Sequence, residues 1–252
     1  MSSNLLVSSP YGPIIVNIND LIGQRIVKSG YWASDDIALM RQIVTRHLQV
    51  HDHVRVYDVG AHIGSHTLAL AKLDPKRVTV RSFEAQRQLY YMLCGNVAIN
   101  GLRNVHCHHA AVSDSTGALL SVQLPDYDAP GNFGGVELIP PERSDNSGMN
   151  KAHSETVSTL ILDEFEEEVH FIKMDIEGME DRALRGAKKT FSRHKPTCII
   201  EIHKTDQNAV IDFLKAFGYA GFLTRNGDLF AFEREYDLNL EGFQKVFFQK
   251  VF

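Results

Sequence analysis

Between Val54 and Ile202 the chain alternates short apolar runs with segments of helical period, and no other feature restricts its fold as much. The runs Val54–Tyr57, Val78–Phe83, Val105–Val112, Thr156–Leu160, Val169–Met174 and Thr197–Ile202 are rich in Val, Ile and aromatic residues, which predicts strands. The segments between them predict helices over Gly64–Leu73, Gln86–Ile99, Leu162–Glu167 and Met179–Phe191. In the second of these Leu89, Leu93 and Val97 share a face and Asn100-Gly101 ends it; in the last, Ala183, Leu184, Ala187 and Phe191 turn inward. A helix over Asp206–Phe217 turns Val210, Ile211, Leu214 and Phe217 inward. Strands separated by helices of this length build βαβ units and a parallel sheet. The run from Phe222 to Phe232 is interrupted by Asn226-Gly227, a strong signal for an antiparallel hairpin. The expectation is an α/β protein with a mostly parallel sheet finished by an antiparallel hairpin.

Upstream, Ile14-Ile15-Val16-Asn17-Ile18 predicts an N-terminal strand or hairpin. Ser34-Asp35-Asp36 starts a helix that carries Ile37, Met40, Ile43, Val44 and Leu48. Residues 113–155 break the alternation with Pro125, Pro130, Pro140, Pro141 and many Gly, Ser, Asn and Asp residues. A loop this long inside a compact domain is usually functional or disordered. It reads as an insertion over the active site, with a short strand near Leu119–Val122. The division expected is an extension over residues 1–50, one α/β domain over 51–236 holding the insertion, and a tail over 237–252. Gln-Lys-Val-Phe occurs twice in that tail, from Gln244 and from Gln249, which is too little for a repeat architecture.

Composition narrows the function. The 252 residues are 44% apolar and 23% charged, with a formal net charge of -5, as in an ordinary globular protein. No block of Lys and Arg stands out, so nucleic acid is not an expected partner. Cys94, Cys107 and Cys198 are odd in number and far apart, which argues against a disulfide framework or a zinc ribbon and for a reduced, cytoplasmic setting. Met1 to Pro10 shows no basic region followed by an apolar core. No stretch approaches the roughly 20 apolar residues of a membrane span, so no membrane partner is expected.

The densest group of candidate site residues runs from Val56 to Thr67, where the first strand of the alternation turns into a helix. Gly60 and Gly64 permit a tight turn and a close backbone approach to a ligand, and the free N–H groups of the helix start suit a carboxylate. The spacing is Gly-x-x-x-Gly with His62 inside it, not the dinucleotide pattern Gly-x-Gly-x-x-Gly. Asp58 at the strand end would repel a pyrophosphate and suits a ligand carrying an ammonium or a sulfonium. A turn that needs its glycines only for chain reversal is the plainer reading. Phe83-Glu84 ends the next strand, where an acidic residue can take both hydroxyls of a ribose; capping the following helix is its plainer role. His62 and His66 stand at a spacing zinc can use, but no third ligand is evident nearby. His51/His53 and His106/His108/His109 read as surface or strand residues, and no metal is expected.

Asp58-Val-Gly-Ala-His-Ile-Gly-Ser-His-Thr67, Phe83-Glu-Ala85, Asn100-Gly-Leu-Arg-Asn-Val105, Ala110-Ala-Val-Ser-Asp114, Ile172-Lys-Met-Asp-Ile-Glu-Gly-Met-Glu180 and Ile200-Glu-Ile-His203 follow one another in the order found in FkbM-type methyltransferases. Gly131-Asn-Phe-Gly-Gly135 also resembles a loop of that family, and the resemblance covers roughly residues 30–235. It implies the class I methyltransferase fold: Rossmann-like, three layers α/β/α, seven strands ordered 3-2-1-4-5-7-6, mostly parallel with one antiparallel strand. It implies S-adenosyl-L-methionine as the cofactor. Asp58, Gly60, Ala61, His62, Gly64 and Thr67 would frame the methionine part, Glu84 would hold the ribose, and Ala111 and Val112 would flank the adenine. The family usually has Asn where this chain has His62, and an imidazole also donates and accepts hydrogen bonds.

Lys173 to Glu180 lies at the C-terminal end of a central strand, where doubly wound sheets bind their ligands. That location turns Asp175 toward the reactive end of the cofactor and Glu177 toward the acceptor, whereas Glu180 supports the turn. Acids favoured by a helix N-terminus are the alternative. Glu201 and His203 alternate at the end of the next strand. The expected site has His203 as general base, with Asp175 and Glu177 beside it, and Asn132, Phe133, Gly134 and Glu201 against the acceptor. The expected reaction is O-methylation of a hydroxyl on a small metabolite, sugar or natural product by in-line methyl transfer. A metal-assisted transfer using Asp175, Glu177, Glu201 or His203 is one rival, and an inert nucleoside-binding protein on the same fold is another. A nicotinamide oxidoreductase is a weaker third.

Overall fold

A computed structural model describes residues 3–139, 154–223, 228–232 and 244–247. The chain opens with an antiparallel hairpin, β1 (Asn4–Ser9) and β2 (Gly12–Asn17), as the Ile/Val run predicts. Helix α1 (Leu21–Ser29) follows; the Asp20 side chain accepts from the Gly23 N–H at its start and Gly30 ends it. This helix is not among the predicted elements, although Asp20 before it and Gly30 after it are ordinary start and stop signals. Helix α2 (Ser34–Val50) buries Ile37, Met40, Ile43 and Val44 at the predicted spacing, and His47 with them.

The alternation then builds the sheet. β3 (Val54–Val59), α3 (Ser65–Ala71), β4 (Val78–Glu84), α4 (Arg87–Ile99) and β5 (Val105–His109) form its first half. Four short strands come next: β6 (Ala111–Val112), β7 (Leu119–Gln123), β8 (Leu138–Ile139) and β9 (Ser154–Leu160). β10 (Phe171–Met174), α5 (Glu180–Arg185), α6 (Lys188–His194), β11 (Thr197–Ile200), α7 (Gln207–Ala216), β12 (Ala220–Leu223), β13 (Leu229–Phe232) and β14 (Gln244–Phe247) complete the chain. The main sheet has the order β14-β12-β13-β11-β10-β3-β4-β5. β3, β4, β5, β10 and β11 pair in parallel, and β13 runs antiparallel to β11 and β12. Without the edge strand β14, this is the order 3-2-1-4-5-7-6 with one antiparallel strand. β12 and β13 are the two arms of the expected hairpin; its Asn226-Gly227 turn lies outside the described residues.

Strand alternation divides the core into two faces. Val56, Phe171 and Ile199 pack with Ile43, Val44 and Leu70 from α2 and α3. Tyr57, Ile172, Met174 and Ile200 face the other way, onto Leu184, Phe191 and Leu214 from α5, α6 and α7. Each such side chain, fully buried, is worth about 1.5–3 kcal/mol. The result is the expected three-layer α/β/α stack.

Four expectations change. The predicted strand Val105–Val112 breaks at Ala110: β5 stays in the main sheet beside β4, whereas β6 pairs in parallel with β9. Residues 113–155 are not simply a loop, because β6, β9, β7 and β8 form a small sheet of their own; residues 140–153 lie outside the described residues. The predicted helix Met179–Phe191 is two helices. Asp163, far away in sequence, accepts from the Lys189 and Thr190 N–H groups at 2.9 and 2.8 Å and so caps a fresh helix start at α6. Finally, part of the predicted tail is β14, which pairs antiparallel with β12. Among the described residues no helix is long and apolar enough to cross a membrane.

Candidate active site

β3 ends at Val59, and Gly60 turns the chain toward α3. Gly60 has φ 78°, and a Cβ there would stand 1.8 Å from the Asp175 carbonyl oxygen. Only glycine lets the ends of β3 and β10 approach this closely. His62 also lies in the left-handed region, at φ 52°. For a residue with a side chain that conformation costs roughly 1–2 kcal/mol, and such outliers gather at functional sites. Glu84 holds the strained turn. Its carboxylate accepts from the His62 N–H and from the Gln86 N–H, each at 2.8 Å. Burial nevertheless pushes Glu84 up to about 7.

Asp58 and Thr67, expected from their motif to touch the ligand, lie behind the turn instead. Both are fully buried, and the Thr67 hydroxyl donates to Asp58 at 2.6 Å. Lys173 donates to the Gly60 carbonyl oxygen at 2.7 Å and lies 3.7 Å from Asp58 and 3.6 Å from Asp175. A carboxylate at that depth needs a cation partner, and Lys173 is it; Asp175 and Asp58 in turn hold the ammonium above its ordinary pKa against the opposing effect of burial. Gly64 caps α3 at φ 91° and packs against Leu93. Asp58, Gly64 and Thr67 are therefore outside the cavity lining and shape the turn from its far side.

On the open side of the turn is a cavity of about 270 Å³. Gly60, Ala61, His62 and Glu84 form one side, and Ala111 and Val112 another. Asn132 and Gly134 reach it from the insertion, together with Val136 and Leu138. Phe133 does not. It is fully buried among Ile14, Ile63 and Met92, its N–H donates to Asp20 at 3.0 Å, and its carbonyl accepts from Gln86 at 2.7 Å. Phe133 is the anchor that lets its two neighbours face the cavity. Ser65 Oγ, both ring nitrogens of His62 and Glu201 Oε2 are buried without a hydrogen-bond partner, and all three residues line this cavity. Buried polar atoms are normally satisfied; His62 Nε2 lies 3.7 Å from Asp20, and Ser65 Oγ and Glu201 Oε2 belong to residues that a polar ligand in the cavity would meet. Burial lowers the pKa of His62 and, with Lys173 adding to it, brings His66 down to about 4, so both rings are neutral at physiological pH.

The far end of the cavity is acidic. Glu180 is fully buried and accepts from the Ile176 and Gly178 N–H groups at 2.8 and 3.1 Å, which fixes the loop carrying Asp175 and Glu177. Glu177 sits at φ 55° and pairs with Lys204 at 2.6 Å. Carboxylate oxygens of Asp175, Glu177 and Glu201 lie within 4.8 Å of one another. Burial, and then the charges of Asp175 and Glu177, push Glu201 up to about 8. A second cavity of about 490 Å³ lies on the other side of Asp175 and Glu201, and His203 lines that one. Its ring is 53% exposed and 3.8 Å from Asp228. His203, expected as general base, thus lies on the second cavity, and Glu201 lines both.

Lys173, Ser65, His66 and Gln86 also line the first cavity; none is among the expected cofactor or acceptor residues, although Ser65 and His66 fall inside the Asp58–Thr67 motif. Only Lys173 carries a usable signal: a lone lysine in the apolar run Phe171-Ile172-Lys173-Met174 must find a buried partner. The others are brought in by the turns of the chain.

A model of the methyltransferase FkbM domain matches residues 58–220. The crystal structure of methyltransferase FkbM from Methylobacillus flagellatus KT is similar, with 19% identity, a TM-score of 0.50 and coverage of 72% of this chain. The chain spans 44% of that protein's length. The structure of M. jannaschii TYW2 in complex with AdoMet is similar over 92% of this chain and 84% of the other, at 15% identity and a TM-score of 0.47. No curated protein sequence matches the chain.

Proposed function

Because the chain belongs to the FkbM methyltransferase family, we propose that it transfers a methyl group from S-adenosyl-L-methionine to a hydroxyl of a small metabolite, sugar or natural product. The observation that carries this reading is the cavity at the β3 turn, with unsatisfied polar atoms of Ser65 and His62 near the helix start, Glu84 on its side and carboxylates at its far end. The cofactor supplies a methyl group made electrophilic by a positively charged sulfur. Ser65, His62 and the N–H groups at the start of α3 bind its amino-acid end. Glu84 accepts from the ribose hydroxyls, and Ala111 and Val112 pack on the base. Asp175 stabilises the positive charge and, with Asn132 and Gly134, helps exclude water from the reacting end.

An acceptor hydroxyl must lose its proton as the new bond forms. Glu201 lines both cavities and, held up to about 8, is matched to take that proton near neutral pH. His203 then orients the acceptor from the second cavity. The close approach of Asp175, Glu177 and Glu201 favours one second reading, in which a divalent cation polarises the acceptor oxygen; sensitivity of turnover to a chelator distinguishes it. The test of the main reading is incubation of the protein with a metabolite extract and cofactor labelled in its methyl carbon. Label recovered in a small molecule with a methoxy carbon resonance supports it. Label found on nitrogen or carbon, or no transfer from a cofactor that binds, contradicts it.

A further inference from the structure

We infer that Cys94 and Cys107 are a reversible oxidation site, a thiol pair that a peroxide closes to a disulfide across the packing of α4 on β5. The site is independent of the methyltransferase reading.

The fold sets the two thiols against each other. In β5 alternate side chains take opposite faces. His108 stacks on Phe83, with 4.9 Å between ring centres, and lies against Phe165. Val105, Cys107 and His109 therefore share the other face, on which α4 packs. Helix and strand run in opposite directions there. Val97 packs in one cluster with Val105 and Cys107, and toward the start of the helix the Tyr90 ring stacks on His109, with 5.1 Å between centres. Cys94 lies between Tyr90 and Val97 on α4, as Cys107 lies between His109 and Val105 on β5. The steps match, because four residues of helix advance about 6 Å and two residues of strand about 6.6 Å. The thiols meet as a result: Cys107 is in side-chain hydrogen-bond contact with Cys94, which the Tyr90 hydroxyl also contacts.

Chemistry divides the pair. Both thiols are half-buried, whereas Cys198 is fully buried against the Ala231 carbonyl. Burial, and next the neighbouring thiol, push Cys107 up to about 12, and a protonated thiol is a poor nucleophile. Cys94 is thus the thiol that meets the oxidant. Its sulfur loses its proton and attacks one oxygen of hydrogen peroxide; the O–O bond breaks, a sulfenic acid forms and the other oxygen leaves as water. The Cys107 sulfur then displaces the sulfenic hydroxyl, which takes the Cys107 proton and leaves as a second water. Two thiols and one peroxide give one disulfide and two waters. The second step is intramolecular, so proximity offsets the weak acidity of Cys107. The new bond restrains the unfolded chain more than the folded one, where the contact already exists.

The full chain, reduced and then treated with hydrogen peroxide, is read by mass spectrometry after its remaining thiols are alkylated in denaturant. The expected product is a cross-linked peptide pair joining Cys94 to Cys107, lighter by two hydrogens, with Cys198 alkylated. Cys107→Ser should leave Cys94 as a sulfenic acid that dimedone traps, and Cys94→Ser should leave Cys107 alkylated. The oxidised wild-type chain should melt at least about 3 °C above the reduced chain, a rise that dithiothreitol reverses and neither variant shows. If a variant fails to fold, the wild-type cross-link and its melting shift still decide. Recovery of both Cys94 and Cys107 as alkylated thiols, passage of Cys94 to a sulfinic acid without a cross-link, a disulfide between chains, or oxidation of Cys198 in preference to the pair overturns the inference. So does the absence of a reversible rise in melting temperature.

Discussion

Glu84 shows how a residue's neighbours set its work. Its two oxygens already fasten the His62 and Gln86 N–H groups, and a carboxylate has about four acceptor sites, so it can also accept from a ligand hydroxyl. Glu84→Gln turns one acceptor into a donor facing a donor, so affinity for S-adenosylhomocysteine should fall by about 1–3 kcal/mol. A calorimetric dissociation constant equal to wild type would contradict a part for Glu84 in holding the ribose. The proton acceptor is tested by a pair of variants. Glu201→Gln should lower single-turnover methylation by about 10²–10⁴ with cofactor affinity retained, whereas His203→Ala should cost much less. The wild-type rate should rise with pH toward a midpoint near 8, because Glu201 must be ionised to act. A midpoint near the ordinary histidine value, with the larger loss in His203→Ala, would return the role to His203. The residue types of this site are legible in the sequence: Gly60, Ala61, Glu84, Ala111, Val112, Asp175 and Glu201 all line the cavity. Depth is not legible. Nothing in the motif around Asp58 says that Asp58 and Thr67 lie behind the turn, because that depends on Lys173 arriving from another strand.

At the scale of elements, period and turn signals locate most strands and helices, and long-range pairing decides the rest. Ala111 and Val112 read as the end of one strand because their neighbours are equally β-prone; they leave the sheet because β9 offers them a partner. Met179–Phe191 reads as one helix because the capping residue, Asp163, lies on another segment. Asn132-Phe133-Gly134 reads as acceptor-binding, yet Phe133 is a core residue that fixes the insertion to α1 and α4. Phe133→Ala should therefore destabilise the protein by about 3–5 kcal/mol and weaken S-adenosylhomocysteine binding as well, since Asn132 and Gly134 lose their support. Denaturant melts read the first effect and calorimetry the second. Unchanged stability would show that the insertion is not anchored through this ring.

The whole molecule carries two opposed sets of buried titratable groups. His47, His66 and His170 are held down to about 4, chiefly by burial. The unfolded chain then binds more protons between about 4 and 6.5, and their effect makes stability rise with pH in that window. Glu84 and Glu180 are held up to about 7 and Glu201 up to about 8, again chiefly by burial. Here the folded chain binds more protons, so their effect makes stability fall as pH rises from the ordinary carboxylate range through those values. The sets oppose one another below about 6.5, and the carboxylates act alone above it. The melting temperature of the ligand-free protein should fall between pH 6.5 and 8; a rise across that interval would mean that these acids are ionised in the folded state at little cost.

A mostly parallel sheet closed by a hairpin follows from the alternation of elements and the Asn226-Gly227 signal, whereas the strand order follows only from the family resemblance, whose motifs run from Asp58 to His203 within the matched residues 58–220. The second cavity is not legible in the sequence, because it is assembled from α1, α2 and the ends of three strands that meet only in the fold. Every role proposed for these residues depends on what the β3 turn binds. Calorimetry of the full chain with S-adenosylhomocysteine and, separately, with NAD tests it most directly. One S-adenosylhomocysteine per chain with no heat from NAD is the predicted result. Binding of NAD without binding of S-adenosylhomocysteine would contradict it.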